Sequence, residues 1–423
     1  MILTLQAFHS FATTYRLGRP SMGRAKFERL QARALKRWLT RSAPKASAFT
    51  GASDRLSEFP VMDKAKLMSD FSSYNTLGIT AEQVRTAMTH NFRVGTLNVG
   101  ASTGTSGNRG FFVISNAERF RWLGSILAKA IPDILWQNQR VAIILPQTTN
   151  LYDSANSFRQ IQLQFFDLTE GPVIWQSRLE AFNPTVIVAP PKILRHIAEQ
   201  KFQLQPVRIF STAETLDSID SSAIMAAFGT QLEQIYMATE GLLGVTCRHG
   251  ILHLAEDSVY FEFECVGDGL VSPIISTFRR DMQILLRYKM NDLLRLAPEP
   301  CSCGSPLQAV TEIAGRIDDC FYLSNCVELG LITPDILRNT VLLADTRITD
   351  FRLVQTGMSE ITLTLPHSVP FAAGLAAKND LHRLLTNRDL HAVITLVHQP
   401  LHLDLTRKLR RVERRWDPSG KRE

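Results

Sequence analysis

Three short runs, Val141-Ala142-Ile143-Ile144-Leu145, Thr185-Val186-Ile187-Val188-Ala189 and Val207-Arg208-Ile209-Phe210, are almost wholly apolar, and each is closed by Pro, Ser or Thr. Helical stretches such as Lys192–Gln200 separate them. A strand buried on both faces cannot alternate, so the pattern predicts a largely parallel sheet covered by helices. Ligands of such sheets sit beyond the carboxyl ends of the strands. The third run ends directly in Ser211-Thr212-Ala213-Glu214. Upstream, Ser115 is placed to cap a helix with the stripe Phe120, Leu123, Ile126 and Leu127, and Asp63 to cap another. Residues 20–42 read as a helix with Phe27, Leu30, Ala34 and Trp38 on one face. From about residue 245 the pattern changes to alternation, as in Tyr260-Phe261-Glu262-Phe263-Glu264-Cys265-Val266, which predicts a β subdomain. Beyond Gly315-Arg316-Ile317-Asp318-Asp319, a hairpin over Asp350–Leu365 and a helix over Ala376–Leu385 describe a separate small unit. The expected fold class is α/β. A large domain, 1–314, has mixed, largely parallel sheets with flanking helices and contains the β subdomain 245–314; a small mobile α+β domain, 315–423, follows.

Composition narrows the class of function. The chain of 423 residues is 45% hydrophobic and 21% charged, an ordinary globular balance with room for a large core. Its net charge of +7 is unevenly spread: residues 1–45 carry +9, residues 407–423 carry +5, and the body between carries −7. A nucleic-acid groove runs through a body, so no nucleic-acid partner is expected, and the basic arm reads as the solvated face of a docked helix. No apolar run approaches the roughly 18–20 residues of a membrane span, and Met1–His9 lacks the character of a signal peptide. A cytoplasmic protein without membrane integration is expected. Six cysteines in so long a chain do not make a disulfide scaffold. Cys301-Ser302-Cys303-Gly304 forms a knuckle that, with Cys247 and His253, or His249 in its place, can close a tetrahedral Zn²⁺ site with no open position. The same residues also read as reduced, partly buried thiols.

The densest candidate chemistry lies in Ser102-Thr103-Gly104-Thr105-Ser106-Gly107-Asn108-Arg109-Gly110. These nine residues hold no aliphatic side chain and separate the apolar Leu97–Val99 from Phe111–Ile114. Glycines let a backbone curl until several N–H groups meet at one spot, and hydroxyls add donors, an arrangement that suits an oxyanion. No Gly-Lys-Ser/Thr follows, so it is not a Walker loop. An ordinary flexible hairpin has the same composition.

Four more motifs follow this loop in order: Thr212-Ala213-Glu214, Tyr236-Met237-Ala238-Thr239-Glu240-Gly241, Arg287-Tyr288-Lys289-Met290-Asn291-Asp292-Leu293 and Gly315–Asp319. The ordered series resembles the adenylate-forming superfamily of acyl- and aryl-CoA ligases. Its best match is the branch of phenylacetate–CoA ligases and deazaflavin-coenzyme adenylylating enzymes. The resemblance implies that Ser102, Thr103, Gly104, Thr105, Ser106 and Gly107 hold the β- and γ-phosphates of ATP. It further implies that Tyr236 stacks on adenine in a pocket lined by Ala213 and Glu214, and that Glu240, behind Thr239, holds Mg²⁺. Asp292 then receives the ribose hydroxyls, Arg316 reaches ribose or phosphate, and Asp318 is the hinge. Arg407-Lys408-Leu409-Arg410-Arg411-Val412 resembles the segment that carries the adenylation lysine, which places that role on Lys408. Similar segments in the same branch carry a structural metal, which implies Zn²⁺ at Cys247, His253, Cys301 and Cys303.

The implied activity is ATP-dependent activation of a carboxylic acid through an acyl- or aryl-adenylate. The acyl group then passes to CoA, to carrier-protein phosphopantetheine or to an amine. An aryl acid is favoured, and Tyr152, Phe158, Phe165 and Phe166 are candidates to line its pocket. A homodimer stays open. Three departures from the family pattern point to an alternative, a nucleotide-binding partner protein with weakened catalysis. They are Arg109 in the loop, Cys320–Glu328 in place of the usual post-hinge loop, and the missing glycine before Lys408.

Overall fold

The computed structural model describes residues 2–51, 53–102, 110–145, 158–325, 329–402, 404–405 and 407–417. The chain folds as two compact units, residues 1–290 with 295–312 and residues 291–294 with 313–423.

The first unit opens with helices α1 (Ile2–Leu17), α2 (Arg24–Arg41), α3 (Lys64–Ser69) and α4 (Ala81–Met88). A three-stranded antiparallel sheet follows, β1 (Arg93–Val94), β2 (Leu97–Ala101) and β3 (Phe111–Ile114), and then α5 (Asn116–Ala130). Asp63 accepts from the Lys66 N–H to cap α3, and Ser115 forms a capping box with Glu118 at α5, as the sequence predicts.

The large sheet begins with parallel strands β4 (Gln139–Leu145), β5 (Ile161–Asp167), β6 (Val186–Ala189), β7 (Arg208–Thr212) and β8 (Leu232–Ala238), in the order β5-β4-β6-β7-β8. Helices α6 (Pro172–Phe182), α7 (Pro191–Glu199) and α8 (Ser218–Phe228) connect them. Ile144, Ile187 and Phe210 are fully buried, which is why these runs show no alternation. The alternating stretch adds β9 (Gly241–Thr246), β10 (Leu252–Leu254), β11 (Tyr260–Gly267), β12 (Leu270–Ser276), β13 (Tyr288–Lys289), β14 (Asp292–Leu296) and β15 (Ala309–Arg316). They continue the same sheet in the order β9-β10-β15-β14-β12-β11, with β13 beside β12. The result is a mixed α/β architecture whose large sheet has twelve strands among the described residues, with flanking helices.

Two contacts fix the N-terminal helices. A Cβ on Gly124 of α5 would lie 2.0 Å from the Ala7 carbonyl oxygen of α1, so the two helices meet where only glycine fits. The buried stripe of α2 runs through Phe27, Gln31, Leu35 and Trp38, whereas Leu30 and Ala34 are half-buried. Gln31 takes an inner position because its amide donates to the Glu256 carbonyl at 2.7 Å. No helix among the described residues is long and apolar enough to cross a membrane.

The second unit contains the hairpin β16 (Phe321–Ser324) and β17 (Leu329–Ile332), helix α9 (Pro334–Ala344), the hairpin β18 (Arg352–Gly357) and β19 (Glu360–Leu365), helix α10 (Phe371–Asn387), β20 (Val393–His398) and β21 (Val412–Arg414). Its four-stranded sheet has the order β20-β19-β18-β21 and packs Leu353, Leu363 and Leu365 with Leu381 of α10 in one core.

Candidate active site

The carboxyl ends of β7 and β8 gather most of the motif residues of the first unit. β7 stops at Thr212, whose hydroxyl donates to the Ile235 carbonyl of β8 at 3.0 Å. Ala213 follows with φ +68°, a left-handed conformation that costs a non-glycine residue roughly 1–3 kcal/mol and recurs at functional sites. Glu214 then meets Lys192 Nζ at 2.9 Å, with both side chains at most 4% exposed. Lys192 stands in the first turn of α7, just beyond β6. Two charges so deeply buried persist only as a pair, because either one alone would carry its full desolvation cost. Tyr236 is buried on β8 beside a bulge at Met237. Thr239 and Glu240 form the two-residue turn between β8 and β9, and Gly241 leaves it at φ +139°. Glu240 is therefore on a hairpin turn at a strand's carboxyl end and not in a helix's first turn.

A second set of contacts ties this turn to the hydroxyl-rich hairpin. Ser102 closes the hairpin base: its N–H donates to the Gly110 carbonyl at 2.8 Å, and its Oγ accepts from the Gly110 N–H at 3.0 Å. Thr103, Gly104, Thr105, Ser106, Gly107, Asn108 and Arg109 lie outside the described residues. On the outgoing strand β3, the Val113 N–H donates to Gln283 Oε1 at 3.1 Å, while Gln283 Nε2 donates to the Phe111 carbonyl at 3.3 Å. Arg280 Nη2 donates to the Val113 carbonyl at 2.9 Å, and its Nη1 to the Glu240 carbonyl at 3.1 Å. Burial draws this guanidinium below its ordinary value, against the pull of Glu118 and Glu240. The segment itself is held from two sides. Glu118 Oε1 accepts the N–H groups of Asp281 and Met282 at 2.7 and 3.0 Å, and Trp38 Nε1 of α2 donates to the Arg280 carbonyl at 2.6 Å.

In the second unit, Arg316 Nε lies 3.8 Å from Asp292 Oδ1. Asp318 accepts from the Asn291 amide, and the Ile317 N–H donates to the Asn291 carbonyl at 2.9 Å. Gly315, at φ +142°, leaves a Cβ position only 3.0 Å from the Pro334 ring, so the turn needs glycine on both counts. Burial pushes the Asp319 carboxyl up to about 6, against Arg410 at 3.7 Å. Lys408 is half-buried, in a segment where Arg411 is fixed to Asp350 at 2.8 Å.

Cys247, His253, Cys301 and Cys303 converge independently, with ligand atoms all within 4.8 Å of one another. The Cys247 and Cys301 sulfurs are 3.9 Å apart, close to the roughly 3.8 Å edge of a tetrahedron with Zn–S bonds of about 2.3 Å. Cys303 Sγ lies 3.3 Å from His253 Nε2, and His253 Nδ1 faces the Leu307 carbonyl at 2.9 Å. That second contact puts the proton on Nδ1 and leaves the Nε2 lone pair for a metal. Backbone N–H groups of His249, Cys303 and Ser305 point at the three sulfurs at 3.4, 3.5 and 3.4 Å, as thiolates require. His249 instead meets Ser302 and Arg248, outside the cluster. Burial pushes the Cys303 thiol up to about 12, a direction that a bound metal reverses.

No family model and no curated protein sequence matches the chain. Solved structures do. 2-Hydroxyisobutyryl-CoA ligase in the postadenylation state, in complex with 2-HIB-AMP, aligns over 94% of this chain and 91% of its own, with TM-score 0.67 and 18% identity. The same ligase with 2-HIB-AMP and CoA in the thioesterification state aligns over 93% and 91%, with TM-score 0.54 and 19% identity. Fatty acyl-adenylate ligases from E. coli and L. pneumophila align over 73% and 67%, with TM-score 0.51 and 15% identity. This chain has the acyl-CoA ligase fold.

Within that fold, the aromatic residues expected around an acid divide. Tyr152 lies outside the described residues. Phe166 is fully buried on β5, and Phe158 and Phe165 are partly buried and pack against the core. Lys192, Arg280 and Gln283 were not among the predicted site residues. The signal available for Lys192 was a lysine just after Pro190-Pro191 at a strand's carboxyl end.

Proposed function

We propose that the protein is an ATP-dependent acid–thiol ligase of the adenylate-forming superfamily, in the branch of phenylacetate–CoA ligases. One observation carries the proposal. The Glu240 turn and the outgoing strand of the hydroxyl-rich hairpin are joined through one guanidinium, beyond the carboxyl ends of β7 and β8. An oxyanion loop and a carboxylate so joined suit a nucleoside triphosphate bound with a divalent cation. Neighbours of this fold carry an acyl-adenylate and CoA, which fits the same reading.

In this reading the hairpin from Ser102 to Gly107 grips the β- and γ-phosphates. Ala213, Glu214 and Tyr236 border adenine, with Lys192 fixing Glu214. Asp292 accepts the ribose hydroxyls and Arg316 steadies them. Glu240, behind Thr239, would hold Mg²⁺, which when bound neutralises phosphate charge. The substrate carboxylate attacks the α-phosphorus, a P–O bond forms, and pyrophosphate leaves with the electrons of the bond that breaks. Negative charge grows on the α-phosphate oxygens, and the Lys408 ammonium stabilises it. A thiol, from CoA or a carrier-protein phosphopantetheine, then attacks the acyl carbon and AMP departs. Asp318 would be the hinge residue between a domain of residues 1–314 and one of residues 315–423. Cys247, His253, Cys301 and Cys303 would hold a structural Zn²⁺, whose four protein ligands leave no position for chemistry.

The test is Lys408→Ala. Acid-dependent pyrophosphate release should fall about 100-fold or more, while the Kd for ATP changes less than about threefold, because the lysine acts on charge that develops only in the transition state. Undiminished turnover in the variant contradicts the assignment.

A further inference from the structure

We propose that Arg280 is a positioning residue that sets the Glu240 turn against strand β3 and so fixes where the proposed cation ligand stands. The proposal rests on the adenylation reading and assigns a role that none of the sequence motifs contains. Its basis is geometric. One planar fork spans two carbonyls, Val113 on β3 at 2.9 Å and Glu240 on the β8–β9 turn at 3.1 Å. Those carbonyls belong to two different elements, so the guanidinium ties one to the other. An ammonium has no such fork and cannot meet both carbonyls in that fixed geometry.

The joint is anchored rather than floating. Gln283, three residues on and 2% exposed, makes two bonds to the β3 backbone. Glu118 accepts two N–H groups of the segment through one oxygen and, through the other, the Ser115 N–H at 2.8 Å and the Ser115 hydroxyl at 2.9 Å. One carboxylate thus caps α5 and fixes the loop that carries Arg280. Arg121 and Ser42 hold Asp281 at 2.7 and 2.9 Å, and Trp38 holds the Arg280 carbonyl at 2.6 Å. The last two contacts come from α2 and its C-terminal cap, which gives the basic N-terminal arm a structural part in the site.

Full-length wild type, Arg280→Lys, Arg280→Met and Trp38→Phe provide the test, with the milder Trp38→Phe and Arg280→Lys covering the case in which Arg280→Met does not fold. Amide hydrogen exchange on the ligand-free protein reads the joint directly. Residues 111–114 and 239–242 should lose protection together, by about tenfold or more in Arg280→Lys. Calorimetry with ATP then reads the site, with and without MgCl₂. Arg280→Lys should keep the Mg²⁺-free affinity and lose about tenfold of the Mg²⁺-dependent gain, a split that general destabilisation would not produce. An Arg280→Lys variant with wild-type Mg²⁺ dependence overturns the proposal, as does loosening of only one of the two segments. A wild-type protein that binds no ATP contradicts the functional reading itself, and the proposal with it, so the two failures are told apart by the first titration.

Discussion

A carboxylate stays protonated toward neutrality when burial outweighs its nearest cation, and Glu233 on β8 is in that position. Burial lifts its carboxyl to about 7, Arg208 opposes the rise, and Asp133 adds to it. Arg208 is already engaged, with Asp133 at 3.2 Å and the Ala130 carbonyl at 2.7 Å. The folded value lies above the ordinary 4.5, so the protonated form stabilises the fold fully below about 4.5, and that contribution is lost as pH rises through 7. Glu233→Gln should match wild type near pH 5 and be more stable by about 1–2 kcal/mol near pH 8, a figure already reduced for solvent screening. Thermal unfolding followed from pH 5 to 8 checks this; parallel curves for the two proteins would contradict it. Residues of this kind are not legible from pattern. Arg280 reads as a surface charge in Phe278-Arg279-Arg280-Asp281, because its partners Glu240 and Val113 lie 40 and 167 positions away. Tyr236, Glu240 and Asp292 could be proposed from sequence because each sits in a short motif with recognisable neighbours.

At the scale of elements, local chemistry was the most readable. Asp63 and Ser115 mark helix starts through bonds made within three residues. Helix α1 escaped the same reading because its inner face carries Ser10 and Thr14, polar residues whose partners Ser125 and Asp257 are distant in sequence. The cysteine cluster was legible as a set, since one residue between Cys301 and Cys303 suits a metal knuckle. Its structural reach was not. A Cβ on Gly304 of the knuckle would lie 3.0 Å from the Pro20 ring, so the knuckle packs close against the turn before α2, whose first residue, Arg24, grips Glu256 at 2.6 and 3.0 Å. Elemental analysis should find about one zinc per chain, and Cys303→Ser should lose it and lower the Tm by several degrees, roughly 2–4 °C for each kcal/mol. A metal-free wild type, or a variant as stable as wild type, would contradict the zinc assignment.

At the scale of the molecule, the alternation of apolar runs with helical stretches was enough to foresee a parallel sheet, because strands covered on both faces leave that mark. The antiparallel extension of the same sheet was not legible as such. β11 carries an exposed run whereas β9, β10 and β12 are buried almost throughout, and neither pattern says which edge of a sheet a strand joins. The order of the motifs carried the rest, and the adenylation reading depends on it. Exchange of labelled pyrophosphate into ATP tests that reading most directly, since reversible adenylation exchanges pyrophosphate without any thiol. With Mg²⁺ and a panel of aryl, hydroxy and fatty acids, the account predicts exchange that requires one class of acid and proceeds in the absence of CoA. No exchange with any acid, from a protein that binds MgATP, would contradict it.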